Sequence, residues 1–113
     1  MNRSEFSEML EPELQSIKDL FAFKNISYGM DDDVFHNFRN TALRVFGTDD
    51  HQMMLKVLMT YMDKHLVAIV NKGLYDKEYE SRLKDIIVYS LLAIAMGKDF
   101  ERAKFERCEL NAK

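Results

Sequence analysis

Apolar positions in this chain recur every three or four residues and seldom alternate, a spacing that predicts helices rather than a sheet. The first predicted helix runs from about Glu11 to Asn25. It sets Leu14, Ile17, Leu20 and Phe21 at helical spacing and carries Pro12 in its first turn, where a missing N–H costs little. Ser4 to Leu10 reads as a separate helical turn or as an extension bent at Pro12. A second helix starts in the run Asp31-Asp32-Asp33, whose charges favour a helix N-terminus, and turns Phe35, Phe38, Ala42 and Phe46 inward. Asp49 or Asp50 caps a third helix reaching Asn71. That segment is apolar nearly all round, apart from Lys56, Thr60, Asp63 and Lys64, and so belongs at the centre of the fold. The fourth helix begins near Asp76 or Lys77 and ends at Met96, and the charged stretch Glu101 to Lys113 predicts one more short helix. Gly29, Gly47, Gly73 and Gly97 fall where helices can end in a left-handed residue. The expected fold class is all-α: a compact bundle of four main helices plus a short C-terminal helix. Residues 1–113 form one domain, with frayed ends at 1–10 and 108–113.

Composition narrows the partners. A chain of 113 residues has room for one hydrophobic core, and 47% hydrophobic with 31% charged residues is ordinary for a globular domain. A net charge of -3 offers no basic field for a nucleic-acid backbone, so nucleic acid is not an expected partner, whereas one bound metal ion suffices to neutralise the phosphates of a nucleotide. The single cysteine, Cys108, forms no intrachain disulfide, which suits a reducing compartment. The charged segment Met1 to Met9 lacks the apolar core of a signal peptide, and the longest apolar run, Ile86 to Met96, is too short to span a bilayer. A cytoplasmic protein without a membrane partner is expected.

The fourth helix carries the most informative polar pattern. Glu78, Arg82, Asp85 and Tyr89 share one face and lead into its apolar half, where a carboxylate needs a basic partner, hydrogen bonds or a metal ion. Inward carboxylates in helix bundles form Mg²⁺ or Mn²⁺ sites. Surface pairing of Glu78 with Arg82 and of Glu80 with Lys84 explains the two glutamates equally well, while Asp85 lies deeper. On the third helix, Lys64 fits either a phosphate contact or a snorkelling lysine beside Asp63. His65 reads as a packed or capping histidine. His36 and His51 have no companions at zinc spacing. Tyr28 and Asn37 flank the acidic run, where they either stack on and hydrogen-bond a base or serve as a packed tyrosine and a capping amide. The eight methionines read as core filling first and a partner groove second.

Taken in order, Lys24, Tyr28-Gly29, Asn37-Phe38, Lys64 and the segment Asp85 to Tyr89 resemble the MazG-like all-α nucleoside-triphosphate pyrophosphohydrolases, in particular their nucleotide-modification-associated, phage-type branch. The resemblance spans about Leu14 to Met96. It implies cleavage between the α and β phosphates of a nucleoside triphosphate, with release of pyrophosphate, and assembly as a homo-oligomer. In that frame Asp85 and Lys64 are the catalytic residues. Lys24, Tyr28, Asn37 and Tyr89 contact the nucleotide, and Asp85 with Glu78 and Glu80 holds Mg²⁺, or Mn²⁺ in its place. The chain departs from the better-armed members in lacking an E-E-x-x-E cluster, and Ser27 and Ser81 stand where related branches carry acids. Fewer carboxylates weaken a divalent site, so the alternative is a non-catalytic accessory or protein-binding module on the same helices.

Overall fold

The computed structural model describes residues 1–28 and 33–112, and side chains for 1–23 and 33–112. Four α-helices carry the chain: α1 (Arg3–Tyr28), α2 (His36–Phe46), α3 (His51–Lys72) and α4 (Tyr79–Ala112), with one 3₁₀ turn, Gly73–Tyr75, before the last. The all-α class expected from periodicity is what the chain adopts.

Local chemistry explains most boundaries. At the start of α1, the Glu5 N–H donates to the Asn2 side chain at 2.9 Å while the Asn2 N–H donates to the Glu5 carboxylate at 3.4 Å. This reciprocal cap starts the helix at Arg3 rather than near Glu11. Pro12 consequently lies inside α1, in a stretch where its neighbours are exposed and water can satisfy the carbonyl it leaves unpaired. The α3 cap is Asp50, whose side chain accepts from the Met53 N–H at 2.9 Å. Helix α2 ends at Gly47 in the left-handed conformation (φ 75°), its N–H donating to the Leu43 carbonyl. Gly97, by contrast, ends nothing. Helix α4 runs straight through it, so the expected short C-terminal helix is the second half of α4. Contacts made across that point favour continuity: Met96 is 2% exposed, Asp99 bonds His51 of α3 at 2.8 Å, and Phe100 meets the His51 ring edge-on at 5.5 Å.

The core is built where α2, α3 and α4 meet. Phe38 and Ala42 of α2, Met54, Val57 and Leu58 of α3 and Met96 of α4 are buried together, joined by Phe35 from the turn before α2. Helix α1 joins from one side through Ile17 and through Lys84 of α4, whose ammonium donates to Ser16 at 3.0 Å and pairs with Glu13 at 3.1 Å. Lys84 therefore turns to α1 rather than to Glu80. Arg39 fastens the approach to α2, bonding Asp33 at 2.9 Å and Asp49 at 3.1 Å. Beyond this packed centre the outer ends of α1 and α4 project. The radius of gyration is 17.2 Å against about 13 Å for a close-packed chain of this length.

Candidate functional site

Each turn of α3 and α4 near the first third of α4 supplies one member of a single cluster. Four-residue spacing puts Tyr61 and His65 on one face of α3, and the same spacing puts Asp85 and Tyr89 on the facing side of α4. The His65 Nε2 lies 3.4 Å from the Asp85 Oδ2, with both side chains nearly enclosed. The His65 ring sits 6.0 Å from that of Tyr89, and Tyr89 in turn lies 6.3 Å from Tyr61. Phe38 of α2 closes the set at 5.8 Å from Tyr61 and 6.5 Å from Tyr89, edge-on to the latter. The Tyr61 hydroxyl is 3.4 Å from the Thr41 hydroxyl of α2. The cluster therefore grades from the hydrophobic core at Phe38 to an acid–imidazole pair at Asp85, and it meets solvent at Tyr61.

Asp85 is the one buried polar or charged residue among those described. A carboxylate so enclosed is held by its neighbours, and the imidazole of His65 stands directly opposite it. Phe38, Tyr61 and Tyr89 line up aromatic rings beside this pair, and aromatic side chains with a polar handle recur in sites for aromatic ligands.

The other expected site residues are distributed unevenly. Tyr89 joins Asp85 in the cluster. Lys64 is exposed, rotated about 100° from His65 around α3, so His65 is the α3 residue that reaches Asp85. Asn37 is half-buried in the first turn of α2. Lys24 and Tyr28 belong to the last turns of α1, but their side chains lie outside the described residues, as does Gly29 altogether. Glu78 pairs with Arg82 at 3.2 Å, as the helical spacing suggested, and Arg82 also holds Asp76 at 2.9 Å. The hydrogen bond from Arg82 keeps the Asp76 carboxyl below its ordinary range, aided by the Glu78 backbone N–H. Glu80 is exposed about 140° around α4 from Asp85, and Glu78 stands two helical turns before it. These three carboxylates are not brought together as one ligand set: among the described residues no three His, Cys, Asp or Glu side chains gather around a common point.

Sequence reasoning did not single out Tyr61, and it read His65 as a packed or capping histidine rather than as part of a site. Their signal was present as a second pair at four-residue spacing, matching Asp85 and Tyr89, but nothing in a single sequence says that two such pairs face each other. No protein-family model, curated protein or solved structure matches this chain.

Proposed function

We propose that this chain is a MazG-like nucleotide-binding protein whose site centres on Asp85, His65 and the aromatic wall of Tyr89 and Tyr61. The observation that carries this reading is an almost fully buried carboxylate paired with an imidazole and bordered by aromatic rings in tilted and edge-on contact. A carboxylate repels phosphate and accepts hydrogen bonds from the N–H and O–H groups of a base or sugar. The nucleoside end of the ligand therefore belongs at Asp85, with a ring stacked on the tyrosines. Lys64, exposed one residue before His65, is the cation that this reading assigns to the phosphates as a point charge. Pyrophosphate release is the finer activity carried by the resemblance, together with a phage-type, cytoplasmic homo-oligomer. Because Asp85, Glu78 and Glu80 do not gather, binding without Mg²⁺-dependent turnover is the expected behaviour. No helix among the described residues is long and apolar enough to cross a membrane.

Calorimetric titration with a panel of nucleoside mono- and triphosphates, with and without Mg²⁺, tests the proposal alongside an assay for released pyrophosphate. Binding should weaken at least tenfold in Asp85→Ala and in Tyr89→Ala. Absence of binding to every nucleotide would leave the Asp85–His65 pair as a structural bond between α3 and α4 and end the nucleotide reading. Pyrophosphate release that persists in Asp85→Ala would show that the chemistry lies elsewhere.

A further inference from the structure

Helix α4 is apolar on two opposite sides, and the fold uses one of them. Asp85, Val88 and Met96 face inward, while Leu83, Ile87, Leu91 and Ile94 remain 36%, 42%, 49% and 58% exposed. At about 100° per residue these four fall within an arc of about 80°, directly across the helix from Asp85 and Met96. Contiguous exposed stripes of large aliphatic side chains mark a surface that something covers.

The ends of the stripe say what covers it. Glu80 and Lys98 lie on the same arc, both exposed, one before the first leucine and one after the last isoleucine. The pattern is symmetric to within one residue about the level of Tyr89, whose own ring faces the core. Glu80 stands nine residues before that level and Lys98 nine after, Ile87 two before and Leu91 two after, Leu83 six before and Ile94 five after. A second copy laid antiparallel across a two-fold axis at that level brings Ile87 onto Leu91, Leu83 onto Ile94, and Glu80 onto Lys98 at both ends. Two-fold interfaces need this kind of self-complementary patch, in which residue i meets j and j meets i. The matched contacts extend about 27 Å along the helix, with apolar positions central and charges at the rim.

We propose that the chain forms an antiparallel homodimer through this outer face of α4, registered by two Glu80–Lys98 pairs. This gives the homo-oligomer of the proposed function a surface and a register, and it stands apart from nucleotide binding, since the face lies on the opposite side of α4 from Asp85 and its mass is measured without nucleotide.

The charged rim allows a test specific to this register. In Glu80→Lys, lysines would meet Lys98 at both ends. In Lys98→Glu, Glu80 would meet glutamates at both ends. Each substitution turns two attractions into two repulsions, and each variant alone should dimerise roughly tenfold more weakly than the parent. An equimolar mixture of the two variants restores opposite charges at both ends and should recover a dimer, now mixed. Analytical ultracentrifugation across a wide concentration range reads all three cases, and circular dichroism confirms that the surface variants keep their helix content. Ile87→Lys should be monomeric. A parent protein that is monomeric throughout overturns the proposal, as does a dimer indifferent to both charge reversals or a mixture no tighter than its components.

Discussion

Leu58 tests the account of the core that holds α2, α3 and α4 together. Its side chain is fully enclosed, next to Phe38 and Ala42 of α2, Met54 and Val57 of α3 and Met96 of α4. Leu58→Ala removes three carbons, worth about 2.5 kcal/mol in transfer free energy at about 0.8 kcal/mol per CH₂. The cavity left behind raises the cost toward the upper part of the range of about 2–5 kcal/mol seen for buried leucines, because neighbours relax only partly. A loss of about 3 kcal/mol is a large share of the roughly 5–15 kcal/mol that stabilises a domain. With an unfolding entropy of about 2.1 cal/mol/K per residue, it lowers Tm by about 12 °C. Val70→Ala is the control, since Val70 is 82% exposed and its truncation should cost less than about 0.5 kcal/mol. Thermal unfolding followed by circular dichroism measures both, at one fixed protein concentration because self-association would itself shift Tm. A Leu58→Ala change no larger than that of Val70→Ala would refute the assignment of the core to this junction.

Two further outcomes follow from local chemistry. Gly97→Ala should stabilise the protein by up to about 1 kcal/mol in urea unfolding, because Gly97 is in mid-helix and a methyl group there meets nothing within 4 Å; a loss of stability would mean that α4 breaks at this point. Asp33 is raised somewhat by burial, but hydrogen bonds from Arg39 and the Phe35 N–H outweigh this and hold its carboxyl below 3.8. Its contribution is therefore complete above that value and drains away as pH falls through the depressed one. Stability measured by urea unfolding should decline less steeply in acid for Asp33→Asn than for the parent, with a difference at neutral pH of about 1 kcal/mol for this partly exposed pair. Parallel acid profiles would place the paired state of Asp33 in doubt.

Periodicity made the helices legible because burial in a bundle imprints the helical repeat on the sequence itself. Phe35, Phe38 and Ala42 could be grouped as inward-facing from spacing alone, although Phe46, expected with them, is 45% exposed at the end of α2. Termini were harder, since Pro12 and Gly97 are local breakers whose influence depends on what flanks them. The Asn2–Glu5 cap starts α1 well before the proline, and the contacts of Met96, Asp99 and Phe100 hold α4 together across the glycine. The site divided in the same way. Asp85 and Tyr89 were visible as polar residues entering an apolar helix. Choosing between Lys64 and His65 as their neighbour required the rotation of α3 against α4, and a helix apolar almost all round gives little indication of that angle. The outward stripe of Leu83, Ile87, Leu91 and Ile94 blurred the inward face for the same reason.

The unbroken course of α4 makes it a lever as well as a wall. Asp85 sits near one end and Ala112 about 40 Å away along a single rigid axis at 1.5 Å per residue. The core grips this helix as far as the His51–Asp99 bond and the neighbouring contact of Phe100 with His51, and most of the charged segment beyond is exposed. A tilt of about 5° about the last of those contacts carries Ala112, about 20 Å further along, through about 1.7 Å. A shift of α4 against α3 is thereby passed on to the segment beyond, which continues the same helix.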